Sequence, residues 1–323
     1  MEFGLSISNR AVVLGRQSTP QVLGLVRQAE ASGAFDSVWV GDSLLVNPRL
    51  ESLTLLSALA AVTERVLLGT ACMGSFALRN PVLLAHQWAS LDHIANGRTR
   101  LIVCSGGGAG PLWEAEAAVF GVLPSQRRAR ILEHMQILRR LWSEDHVSHH
   151  GELVQFDDVT VEPKPLQRHC PIWLATNATR LSSGAVAGAG HALTRVGTYA
   201  DGWMTHSVPP EAFARSWQAI LDAAQAAGRD ASQFDNCLYH NVNVSSDYDS
   251  ALDEANEYLG ELYGTTFTPE RARAWCTLGD PKSCIEDLRR YNGSGVRRIT
   301  LRLCSHDQAG QLKRLVNEVL PYV

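Results

Sequence analysis

The chain alternates between short, almost wholly apolar runs and longer segments whose apolar residues recur every three or four positions. The first kind predicts buried strands, the second amphipathic helices. "FGLSI" (Phe3 to Ile7) reads as a strand and "PQVLGLVRQAEASG" as a helix that stops at Gly33. "DSVWVGD", "RVLLGTA" and "TRLIVCS" read as the next three strands. The helices among them are "SLTLLSALAAVTE" and "PVLLAHQWASLDHIANG", the latter with Pro81 at its start and Gly97 at its end, the asymmetry expected of a helix. "SQRRARILEHMQILRRLW" is the fourth long helix. After Trp142 the rhythm breaks, and "VSHHGELVQFDDVTVEPKP" predicts a small hairpin or an extended excursion. "PIWLA", "DGWMTH", "CLYHNVNVS" and "RRITLRLCS" are then the fifth to eighth strands, each followed by a helical segment.

Eight strand–helix units in 323 residues predict a single (β/α)8 (TIM) barrel domain over residues 1–323, with insertions before strands five and eight. An open doubly wound sheet would want a dinucleotide fingerprint in its first strand–helix turn, and "SISNRAVVLGRQSTP" has none.

Composition narrows the class. The chain is 45% hydrophobic and 19% charged, which suits a globular protein with a sizeable core. A net charge of -4 gives no reason to expect nucleic acid or an anionic membrane as partner. No apolar run approaches the roughly 20 residues that span a bilayer, and "MEFGLSISNR" lacks a signal-peptide core, so a cytoplasmic location is expected. The seven cysteines are scattered, with no C-x-x-C pair. Neither a disulfide framework nor a zinc site is expected; the thiols should be reduced, and no metal is called for.

The working face of such a barrel is the C-terminal end of its strands. That face takes in Asn9, Asp42, Ser43, Ala71, Cys72, Ser105 to Gly108, Ala175 to Asn177, His206, Asn243 and Cys304 to His306. The stretch "RLIVCSGGGAG" stands out, because bare backbone at a barrel mouth suits a flat ring or a phosphate coming close. It matches neither G-x-G-x-x-G nor the P-loop. Arg302 alternates with Leu301 and Leu303, so its side chain is placed toward the barrel interior, there to bind an anion or close a structural ion pair.

"FDSVWVGDSL", "RVLLGTACM", "NPVLLAHQWASLDHIANGR", "FGVLPSQRRARILEHMQILRRLW", "GELVQFDDVTVEPKPLQ", "PIWLA", "YADGWMT" and "TLGDPKSCIEDLRRY" stand in one order along nearly the whole chain. Together they resemble the bacterial-luciferase-like flavin oxidoreductases. The resemblance implies a (β/α)8 barrel that works either with reduced FMN and oxygen or with a 5-deazaflavin coenzyme.

For single residues the resemblance implies the following. The Ala71–Cys72 bond matches a non-proline cis peptide that bulges against the cofactor ring. Ser105, Gly106 and Gly107 border the ring or the ribityl chain, the glycines clearing space for it. Ala175, Thr176 and Asn177 match a phosphate corner, where Arg195 either adds charge-assisted bonds or stays a solvated helix arginine. Asp42 orients loops, contacts the cofactor, or caps the following segment. Ser43 and Gly107 stand where similar deazaflavin dehydrogenases carry a His and a Glu, so two acid–base groups are missing. His206 is the candidate for contact with substrate. The leading expectation is therefore a monooxygenase using reduced FMN from a partner flavin reductase, with O2 and a small organic substrate. The alternatives are a deazaflavin-dependent reductase or dehydrogenase and a non-catalytic flavin-binding protein. A homodimer is also expected from the resemblance.

Overall fold

The computed structural model describes residues 1–106, 110–177 and 189–323. These form strands β1 (Glu2–Ile7), β2 (Ser37–Val40), β3 (Leu67–Thr70), β4 (Thr99–Val103), β5 (Val147–His150), β6 (Gln155–Val159), β7 (Ile172–Ala175), β8 (Gly202–His206), β9 (Asp235–Val244), β10 (Cys276–Gly279) and β11 (Arg298–Leu303). Eight of them, in the order β1-β2-β3-β4-β7-β8-β9-β11, pair in parallel, and β11 returns to β1 to close the barrel. Their apolar runs are near-continuous because both faces are covered: all four residues of β2 and all six of β11 are buried.

Local signals start and stop the outer helices. Ser18 and Gln21 form a capping box on the helix Thr19–Ser32, which ends at Gly33 in the left-handed region (φ 69). Asn80 caps the helix Pro81–Ile94 by accepting from the N–H groups of Val82 and Leu83. That helix ends before Gly97, since Asn96 already has φ 51.

The barrel floor is packed. Trp39 and Trp173 meet inside it with ring centroids 6.2 Å apart. Glycines on neighbouring strands make room for them: a Cβ on Gly69 would come within 2.6 Å of the Trp39 ring, and one on Gly202 within 2.6 Å of Trp173. Space for a ligand therefore lies above this layer, at the C-terminal strand ends.

Two excursions leave the strand–helix alternation. β5 and β6 form an antiparallel hairpin before β7. Before β11 the chain adds the helix Pro269–Arg273, β10 and the helix Pro281–Arg289. β10 is a strand that the apolar pattern did not mark. It pairs with the upper part of β9 (Cys276 opposite Asn241), just beyond the place where β8 ends opposite Tyr239. The barrel wall is thus raised above His206.

Candidate active site

A cleft of about 300 Å³ opens at the ends of β1, β2, β3, β4 and β11. One wall is made of Ala71, Cys72, Gly74, Cys104 and Gly106. The Ala71–Cys72 bond is cis. Met73 donates to the carbonyl of Ile102 at 2.7 Å, which holds the end of β3 against β4. This contact brings Cys72 and Cys104 together, and they form a disulfide with Cα atoms 6.0 Å apart. The expectation of seven reduced thiols is corrected accordingly. The two cysteines are 32 residues apart in sequence and become neighbours only because their strands are adjacent. The other five are free and buried.

Gly106 also meets a second backbone. Its φ is +55, and a Cβ there would lie 1.8 Å from the carbonyl oxygen of Gly74. The close approach of the two backbones requires glycine here, in a residue that also lines the cleft. Gly107 lies outside the described residues.

Asp42 lines the cleft, but its carboxylate is occupied. Oδ1 accepts from Ser52 Oγ at 2.7 Å and from Arg79 at 3.1 Å, and Oδ2 accepts from the Ser75 N–H at 2.7 Å. It ties the loop after β2 to the turn after β3. It is not a helix cap, since Glu51 caps the helix Ser52–Ala60. Ser43 faces the cleft and donates to the Val46 carbonyl, so no imidazole or carboxylate stands at that position.

A second, smaller cleft of about 80 Å³ adjoins the first at Cys104. It gathers Ser105, Ala175, Thr176 and Arg195, together with Arg128. Thr176 is held by its N–H to the Met204 carbonyl at 3.0 Å. Among the described residues neither Arg195 nor Arg128 has an ion-pair partner or a hydrogen bond. Two free guanidinium groups beside a strand end fit a phosphate. The larger cleft, which meets this one at Cys104, has room for a ring next to it.

His206 and Asn177 line neither cleft. His206 Nε2 lies 3.1 Å from Asn177 Nδ2 and Nδ1 lies 3.1 Å from Ser207 Oγ, with the ring against Trp275 at 5.0 Å. Burial, with Arg302 and Arg271 nearby, lowers its pKa to about 4, so it is neutral at ordinary pH. Its side chain lies outside the lining of the larger cleft.

Several cleft residues were not singled out by the sequence: Arg10, Asn47, Arg49, Trp113, Glu116 and Tyr263. Arg302 does reach the cleft, as its alternation with leucines indicated. Its Nη1 donates to Tyr263 Oη at 2.8 Å, and its guanidinium lies 4.9 Å from the Tyr239 ring centroid. Burial alone would lower its pKa, but Tyr239, Tyr263 and Tyr258 raise it. Among the described residues no group of three or more His, Cys, Asp or Glu could hold a metal ion. None of the described helices is long and apolar enough to cross a membrane.

The family model described as luciferase-like monooxygenase matches residues 1–298. An F420-dependent glucose-6-phosphate dehydrogenase of Nakamurella multipartita is 25% identical over 331 residues, covering 94% of this chain and 93% of its own. The solved monooxygenase RslO1 from Streptomyces bottropensis superposes with a TM-score of 0.78 at 25% identity, covering 99% of both chains. An F420-dependent secondary alcohol dehydrogenase, solved with an F420-acetone adduct, has a TM-score of 0.81 at 20% identity over 98% of each chain, a likeness of fold.

Proposed function

The chain belongs to the luciferase-like monooxygenase family of oxidoreductases, and from that premise we propose that it works with the 5-deazaflavin coenzyme F420 on a small organic substrate. The observation that carries a flavin-type coenzyme is the junction of the two clefts at Cys104. A ring against Ala71, Cys72 and Gly74 would extend toward Ser105, Thr176 and the free guanidinium groups of Arg195 and Arg128. The choice of deazaflavin over FMN follows the curated relatives that match over nearly full length, such as the dehydrogenase of Nakamurella multipartita.

The coenzyme, when bound, supplies hydride transfer, and the protein supplies binding, orientation and proton handling. Gly107 has no side chain, and the Ser43 hydroxyl donates to the Val46 carbonyl, so neither supplies the acid–base group of an imidazole or a carboxylate. Tyr263 is the group in the cleft that can supply a proton: Arg302 donates to its oxygen, which leaves the phenol proton free for a substrate. Glu116 is less suited, because it accepts from the N–H groups of Leu45 and Val46 and lies 3.6 Å from Arg127.

The likeness to RslO1 favours a second reading, reduced FMN with oxygen. Anaerobic turnover separates the two. Oxidised F420 is mixed with the protein and a panel of alcohols, and reduced F420 and reduced FMN with a panel of alcohols and carbonyl compounds, each with and without oxygen. Substrate-dependent reduction of F420 by an alcohol, or oxidation of reduced F420 by a carbonyl compound, that proceeds without oxygen supports the deazaflavin reading. Turnover with FMN that needs oxygen overturns it.

A further inference from the structure

The larger cleft holds more positive charge than its own acids balance. Arg10, Arg49 and Arg302 line it, and among the described residues none of them has a carboxylate within ion-pair distance. Each has a neutral acceptor instead: Asn47 Oδ1 for Arg10, the Asn47 carbonyl for Arg49 at 3.1 Å, and Tyr263 Oη for Arg302 at 2.8 Å. The two acids of the cleft are taken up elsewhere, Asp42 by Arg79 and Glu116 by Arg127.

Much of this hydrogen-bonding capacity is unspent. A guanidinium carries five N–H donors. The Nε atoms of Arg10 and Arg302 are buried without a partner. Burial first, then Arg302 and, more weakly, Arg10 lower the pKa of Arg49, against the opposing pull of Tyr263 and Asp42. Gathering unpaired guanidinium groups in a half-buried cleft is costly unless something negative joins them. The planar fork of arginine matches the oxygens of a carboxylate or a phosphate.

We propose that the substrate bears an oxyanion group, a carboxylate or a phosphate, and that Arg10, Arg49 and Arg302 bind it. The assignment rests on the reading of this cleft as the substrate side of a coenzyme-bound barrel. It places the anion at the ends of β1, β2 and β11, on the side of the cleft away from Ser105, Thr176 and Arg195. Tyr263, held by Arg302, then lies next to the bound group.

Calorimetric titration tests this, with and without saturating F420. The probes are succinate, inorganic phosphate and neutral butane-1,4-diol. At least one of the two anions should bind, and the diol should not; the anion that binds names the group. With F420 saturating, binding should weaken at least tenfold in Arg49→Gln and be largely kept in Arg49→Lys. Arg302→Gln, checked for an unchanged Tm, should repeat the loss. Failure of both anions to bind, or wild-type binding in folded Arg49→Gln and Arg302→Gln, would overturn the proposal. So would displacement by F420 of an anion whose binding depends on Arg49, because the arginines would then serve the coenzyme. Should F420 itself fail to bind while succinate still depends on Arg49, the coenzyme reading falls and the anion site stands.

Discussion

Cys72, just beyond β3, is bonded to Cys104, just beyond β4, and the pair forms part of the wall of the larger cleft. The bond ties together the two strand ends against which the proposed coenzyme ring would lie. Titration with a thiol reagent under denaturing conditions should find the five free cysteines before reduction and all seven of the chain after it. Seven reactive thiols without reduction would show that the pair is not bonded.

Gly106 should tolerate no side chain. With φ +55 and the Gly74 carbonyl 1.8 Å from its Cβ position, Gly106→Ala must move one of two backbones. The expected loss is roughly 1–3 kcal/mol of stability, seen as a lower Tm. Gly106→Val should cost more, and its coenzyme loss would follow from the damaged turn. An unchanged Tm in Gly106→Ala would mean that the turn does not pack on Gly74.

Arg195 distinguishes a phosphate contact from support of the fold. A charge-assisted hydrogen bond contributes roughly 1.5–3 kcal/mol, and about 1.4 kcal/mol is a factor of ten. Arg195→Ala should therefore weaken F420 binding by about one to two orders of magnitude. Binding of the dephosphorylated deazaflavin should hardly change. Equal losses for both would make Arg195 a structural residue.

Three histidines predict acid sensitivity. Burial lowers the pKa of His134, His206 and His240 to about 4, against 6.5 for the free side chain. Between those values the unfolded chain binds more protons than the folded one, so stability falls as pH drops from 6.5 toward 4. His134 shows why: Nδ1 faces the Phe76 carbonyl at 3.3 Å, and Nε2 is buried without a partner, so a second proton would have no acceptor. Tm should decline across this window, and His134→Leu should flatten the decline. A Tm independent of pH over the same range would contradict the burial of these rings as neutral groups.

The barrel was legible because strands covered on both faces leave near-continuous apolar runs, as in "SVWV" of β2. Caps such as Ser18 and Asn80 are local, and so are readable from sequence. β10 was not legible: it is four residues long, sits inside an insertion, and exists only because β9 outruns β8. Arg302 could be placed by strand alternation, whereas Arg10 and Arg49 could not. Arg10 opens a four-residue helix and Arg49 lies in a loop, and the direction of each depends on Asn47 at a loop turn. The Cys72–Cys104 bond and the Gly106–Gly74 contact likewise arise only when strand ends meet in space.

The most direct test of the proposed function is an equilibrium titration of the protein with F420 and with FMN, each oxidised and reduced, followed by absorbance and fluorescence. F420 should bind stoichiometrically and at least tenfold more tightly than FMN, and the preference should hold for the reduced forms. Tighter binding of reduced FMN, or no saturable binding of F420, would contradict the deazaflavin assignment.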